Sequence, residues 1–190
     1  IKHLSKEVNK YLRLAAETMT FCRGIIILQS TSFKNEEGKD IKYYETLDKQ
    51  IEKPWRALQQ LKELAECLAF VTGKEEVGAE ELNIIKQVVM STMPADRAQA
   101  LRAISTITEK QYFTSKDLSS YSNKSVKTCQ RLLQELYDLS ILEKLPGTGQ
   151  IATEYSLAPR FRNFMMDTPR EFMSSYSGMQ NEPNGVKKAD

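Results

Sequence analysis

Lys116, Asn123, Lys124, Ser125, Lys127, Thr128 and Arg131 form a run of side chains that donate hydrogen bonds and carry positive charge. Residue types like these reach phosphate oxygens and base edges in nucleic acid. From Lys116 to Arg131 four bases (Lys116, Lys124, Lys127, Arg131) stand against one acid, Asp117. The chain as a whole carries a net charge of only +2, so the basic character is local. Further along, Lys144 is the only base near a glycine-rich turn, Pro146–Gln150. An amphipathic helix with a basic wet face is also an ordinary solvated helix, so composition alone does not make this a binding face.

The elements that must position these residues are readable around them. Thr114 or Ser115 is placed to cap a short helix over Lys116–Ser120, its side-chain oxygen accepting a first-turn N–H. Tyr121-Ser122-Asn123-Lys124 breaks the periodicity, with Ser122 or Asn123 as the next cap. Val126, Cys129, Leu132, Leu133, Leu136 and Leu139 then recur on one helical face. Glu135 and Asp138 come only toward that helix's C-terminal end. Two short strands, beginning at Ile141 and ending at Leu157, flank the Pro146–Gln150 turn. Helix, turn, longer helix and two strands in this order predict a winged helix-turn-helix. The double-stranded DNA that such a module reads is the expected partner.

Other chemistry is poorly supplied. The single histidine is His3, and Cys22, Cys67 and Cys129 are widely spaced among apolar neighbours. That pattern fits reduced thiols in a cytoplasmic protein, with no metal site and no catalytic constellation. Pro146-Gly147-Thr148-Gly149 superficially suits a phosphate-binding loop, but Gln150 and Ile151 follow Gly149 and Lys144 stands at the leading-glycine position. A working loop needs Lys and Ser or Thr there. Paired acids at Glu36-Glu37, Glu75-Glu76 and Glu80-Glu81 fall in loops or helix starts, where solvation rather than acid–base catalysis is their ordinary role. The chain is expected to be no enzyme by itself and to need no cofactor.

Apolar content of 41% and charged content of 27% over 190 residues suit a globular chain. No apolar run approaches the roughly 20 residues of a membrane span, and no secretory signal opens the chain. It begins at Ile1 rather than Met and is read as a piece of something longer.

Toward the N-terminus, Leu4 through Cys22 has helical spacing. Ile25–Thr31 and Ile41–Thr46 flank a polar turn. A β-hairpin is one reading; a helix running on through Ile25–Ser30 into a loop is the other. Pro54 opens a helix whose apolar stripe is Trp55, Leu58, Leu61, Leu64, Ala65, Leu68 and Ala69, with Gly73 as its terminator. Helices over Ala79–Met90 and from Met93-Pro94 through Ile107 follow, and Gln111-Tyr112-Phe113 fits a small strand. A short helix over Arg160–Met166 precedes a tail expected to be disordered beyond about Ser174. The fold class is therefore mainly α: an N-terminal helical region with a hairpin (1–93), a winged helix-turn-helix with a small β-sheet (94–166), and a largely disordered tail (167–190). A homodimer or larger assembly is a further expectation, with Tyr11, Leu12 and Met19 of the first helix as one contact and closure of that helix's own core as the competing role.

Two family resemblances follow from these residues. KPWRALQQLKELAECLAFVTGKEEVGAEELNIIKQVV resembles the lid region of AAA+-type ATPases of the MoxR and MCM kind, over about 53–92. The resemblance implies that Arg56 matches the sensor-2 arginine, which reaches toward a nucleotide γ-phosphate. Gly78 stands where the family places a capping Thr or Ser, and the chain holds no Walker A or B sequence. An ATPase core would therefore lie upstream of Ile1. Over about 94–158, T-x-x-D-L-S-x-x-S-N-K-S-V followed by L-x-x-L-x-I-L-E is similar to bacterial winged-helix DNA-binding domains. That implies a transcriptional regulator or the DNA-binding region of a larger protein; the alternative is a non-catalytic lid and winged-helix module of an AAA+-type ATPase acting in DNA transactions. Tyr121-Ser122 departs from the usual Leu-Gly turn, and Thr128 follows Lys127 where relatives often pair arginines.

Overall fold

The computed structural model describes residues 4–34, 38, 40–107, 111–145 and 152–179. Helix α1 (Lys6–Arg23) starts where Ser5 Oγ accepts the Val8 N–H at 3.2 Å. It buries Val8, Tyr11, Leu12, Ala15, Ala16, Met19 and Cys22, the stripe its spacing predicts. Because Tyr11, Leu12 and Met19 lie inside the core, they are not available as a dimer surface.

Strands β1 (Ile25–Lys34) and β2 (Asp40–Gln50) form an antiparallel hairpin, longer at both ends than the apolar runs suggested. Leu47 is the extra residue of a bulge: Ile27 pairs with Asp48 and Leu28 with Thr46. Gly24 sits at the hairpin root, where a Cβ would lie 2.6 Å from Leu139 Cδ2.

Helix α2 (Trp55–Val71) corrects the expected stripe. Its buried row is Ala57, Leu61, Ala65 and Ala69, while Trp55 is 75% exposed. The row advances four residues at a time, and Trp55, two positions before Ala57, turns away from it. Gly73, at φ +70°, ends α2; Gly73 N–H donates to Phe70 O and Lys74 N–H to Ala69 O, the Schellman pattern. Helix α3 (Ala79–Ser91) begins at Gly78, whose N–H is accepted by Glu81 Oε2 at 2.9 Å.

Helices α4 (Ala95–Thr106), α5 (Ser115–Ser122) and α6 (Val126–Asp138) come next, followed by the antiparallel strands β3 (Leu142–Leu145) and β4 (Glu154–Leu157). Phe113 bridges Tyr155 of β4, so Gln111–Phe113 contributes a single bridging residue rather than a full strand. The chain is mainly helical, with small two-stranded sheets.

Helix α7 (Pro159–Met166) leads into α8 (Pro169–Met179). The second of these corrects the first part of the expected open tail: residues 169–179 are helical, and Phe172 is 1% exposed, while 180–190 lies outside the described residues. Thr168 and Glu171 cap α8 reciprocally, with Thr168 N–H donating to Glu171 Oε2 at 2.7 Å and Glu171 N–H to Thr168 Oγ1 at 3.2 Å. Tyr11 stacks against Phe164 and Phe172 at centroid distances of 5.5 and 5.3 Å. The C-terminal helices thus close the core around α1, and that core is continuous across position 93. Among the described residues no helix is long and apolar enough to cross a membrane.

Candidate nucleic-acid interface

The turn between α5 and α6 is built by short polar side chains. Thr114 and Asp117 form the capping box of α5: Asp117 N–H donates to Thr114 Oγ1 at 3.3 Å and Thr114 N–H to Asp117 Oδ2 at 2.8 Å. The one acid of the Lys116–Arg131 run is therefore held at a helix start. Helix α5 continues to Ser122, which is buried with its Oγ 3.5 Å from Cys129 Sγ. Asn123 then takes the left-handed conformation, φ 54°, which Asn tolerates better than most residues. The next cap is consequently Ser125, not Ser122 or Asn123; its Oγ accepts the Thr128 N–H at 3.2 Å. Gln99 of α4 donates to Ser122 O, and Ser119 Oγ to Lys124 O, at 3.1 and 2.7 Å. These bonds fix the turn from both sides.

Helix α6 buries Cys129, Leu132, Leu133 and Leu136, as its spacing requires. Val126, expected on that face, is 38% exposed because it opens the helix beyond the packed turns. The predicted contact residues, on α5, on the turn and on the opposite face of α6, are in two states. Asn123, Lys116 and Lys127 are exposed and make no side-chain hydrogen bond or ion pair among the described residues. Lys124 and Arg131 are already engaged. Lys124 Nζ lies 2.7 Å from Asp96 Oδ1 of α4, and Lys124, through its hydrogen bond, holds the Asp96 carboxyl below the ordinary carboxylate range. Arg131 Nε lies 3.6 Å from Glu135 Oε1. Ser125 and Thr128 hydroxyls bond each other at 2.9 Å. In space, then, the four bases stand with three acids, Asp117, Asp96 and Glu135, the last shared between Arg131 and a buried arginine.

That arginine, Arg97, is 8% exposed. Its Nη1 donates to Cys22 O at 3.1 Å and Gly24 O at 2.6 Å, and its Nε to Glu135 Oε2 at 3.3 Å. One side chain thereby ties the end of α1, the hairpin root and α6 together. The hairpin also rests on α6 directly: Thr46 Oγ1 donates to Asp138 Oδ2 at 2.6 Å and Lys49 Nζ to Asp138 O at 2.8 Å. The C-terminal end of α6 is occupied by β2, leaving its first turns as the open face. None of Asp96, Arg97 and the seat of the hairpin on α6 was read from sequence. The only local signal was Arg97, a base on the otherwise apolar side of α4.

Lys144 lies on β3, its Nζ 3.5 Å from Gln134 Oε1 and 5.5 Å from the Tyr137 ring centroid, so it borders α6 from the strand side. The Pro146–Gln150 turn lies outside the described residues. Arg56 stands apart, exposed in the first turn of α2, which packs on α1 and α3. No known protein family, curated protein or solved structure matches this chain.

Proposed function

We propose that this chain binds duplex DNA through the first turns of α6 and the adjoining end of α5, as a winged helix-turn-helix. The observation that carries the reading is the open N-terminal half of α6, where exposed Lys127 and Gln130 follow a capped helix start with no acid in the first turn. Partial positive charge at a helix N-terminus and unpaired lysines both favour phosphate oxygens. Lys116 and Asn123 flank this face, and Lys144 approaches it from β3. Lys124 and Arg131 bind phosphate by exchanging Asp96 and Glu135 for it, so they contribute less per charge than Lys127. The test is the double substitution Lys127→Ala with Arg131→Ala. It should weaken binding and reduce the salt slope by roughly one for each phosphate that is no longer neutralised. Binding equal to the parent's would remove α6 as the reader.

A second reading makes the chain a non-catalytic lid and winged-helix module of an AAA+-type ATPase. The exposure of Arg56 at the start of α2 favours it, because a sensor arginine must be free to reach a nucleotide. It predicts that Arg56→Ala lowers ATP hydrolysis by an ATPase core joined to this chain; unchanged turnover would sink it.

A further inference from the structure

The two edges of the β1–β2 hairpin are unlike. Strand β2 carries Asp40, Lys42, Glu45, Asp48 and Lys49, and it holds the bulge at Leu47. Charges and bulges are the devices that keep an edge strand from pairing with another chain. Strand β1 has no bulge residue, and its one charge is its last residue, Lys34. Ile25-Ile26-Ile27-Leu28-Gln29-Ser30-Thr31-Ser32-Phe33 contains no charge and no proline before Lys34. Among the described residues β1 pairs with β2 alone, so its outer row of N–H and C=O groups has no strand against it. Ile25 and Ile27, at the base of this strand, are 60% and 48% exposed. A ribbon of two strands is marginal in water unless a third strand or a helix supports it. Here α6 supports β2, through Thr46 and Lys49 on Asp138, while β1 is anchored at its base, where Ile26 packs against the core.

We infer that β1 pairs antiparallel with β1 of a second copy of this chain, forming a four-stranded sheet across a two-fold axis. Charge patterning selects the second copy as occupant. In an isologous pair each strand meets itself reversed, so any charge near the centre faces its own kind, at a cost. Strand β1 has none to oppose. Centred on Gln29, the pairing sets Ile27 opposite Thr31 and one Gln29 amide opposite the other, both favourable cross-strand neighbours. The same operation on β2 centred at Glu45 sets two carboxylates face to face. Strands β3 and β4 are only four residues each and already pair with one another. The inference is independent of DNA binding.

Light scattering on the chain over a concentration series tests it. The parent should read twice 21.7 kDa, and Ile27→Lys should read the single-chain mass. Leu47→Lys replaces a residue 61% exposed on the bulged strand and should keep the doubled mass. A parent that stays monomeric up to about 100 µM, or a dimer lost with Leu47→Lys but kept with Ile27→Lys, overturns the proposal. Circular dichroism matching the parent shows that each variant is folded. A second arm uses Gln29→Cys in a Cys67→Ser background, since Cys67 is the exposed thiol and Cys22 and Cys129 are buried. Directly opposed Cα atoms in an antiparallel pair lie about 4.5–5.5 Å apart, within disulfide reach. Mild oxidation should link the Gln29→Cys chains into dimers and leave Leu47→Cys chains single. The reverse pattern, or no link at position 29, overturns β1 pairing.

Discussion

Arg97 is the residue on which the hairpin root, α1 and α6 depend together, and its replacement has a magnitude that follows from its partners. In Arg97→Met, Cys22 O and Gly24 O lose donors at 3.1 and 2.6 Å, and Glu135 loses one of its two cations. Removing one member of a buried ion pair costs about 3–5 kcal/mol. Glu135 keeps Arg131 and its side chain is 16% exposed, so the lower end, about 3 kcal/mol, is expected. For a chain of this size that lowers the melting temperature by about 6–12 °C. Arg97→Lys should be nearly as damaging, because one ammonium cannot reproduce a planar fork bonded to three separate acceptors. Adding Glu135→Leu to Arg97→Met should recover part of the loss, since no carboxylate is then left short of its partner. Calorimetry or urea titration reads all three. A loss under about 1 kcal/mol for Arg97→Met, or no recovery in the double variant, would refute the reasoning.

Three further outcomes are expected. Asp96→Asn frees Lys124 from its 2.7 Å ion pair, and should tighten DNA binding and steepen the salt slope by roughly one; weaker binding in a filter or fluorescence assay would contradict this. Tyr11 Oη is buried with no hydrogen-bond partner among the described residues, so Tyr11→Phe should raise stability by about 1 kcal/mol, and a loss seen in denaturant titration would show that the hydroxyl is satisfied. Burial alone pushes the Glu81 carboxyl up, but bonds from Lys74 and the Gly78 N–H outweigh it and leave the carboxyl below its ordinary 4.5. Its contribution is therefore present above the unfolded-state value and lost as pH falls through the lowered folded-state value; the stability gap between the parent and Glu81→Gln should shrink over that acid range and not at neutral pH.

What could be read in the sequence was local. The α1 stripe, the Gly73 terminator and the apolar row of α6 rest on spacing or on one residue's backbone preference and appear where such signals placed them; the hairpin, one of two readings, is longer at both ends, and α5 runs on to Ser122. The Thr168–Glu171 capping box was equally readable, with Pro169 in the first turn where proline is favoured. The Ser- and Gly-rich composition that follows it masked the helix. Pairings between distant segments were not readable. Asp96 meets Lys124, and Thr46 meets Asp138, only because α4 and β2 pack beside α6. No periodicity encodes which surface lysine finds an acid. What the packing adds to the expected contact residues is their electrostatics: among the described residues Lys116 and Lys127 make no ion pair, while Lys124 and Arg131 are paired with Asp96 and Glu135.

Fluorescence titration of this chain against random-sequence duplex DNA at two salt concentrations tests the proposed function most directly. Binding should be measurable at low salt and weaken as salt rises, with a slope of about −2 to −4 for two to four phosphate contacts. No binding at low salt, or affinity indifferent to salt, would contradict it.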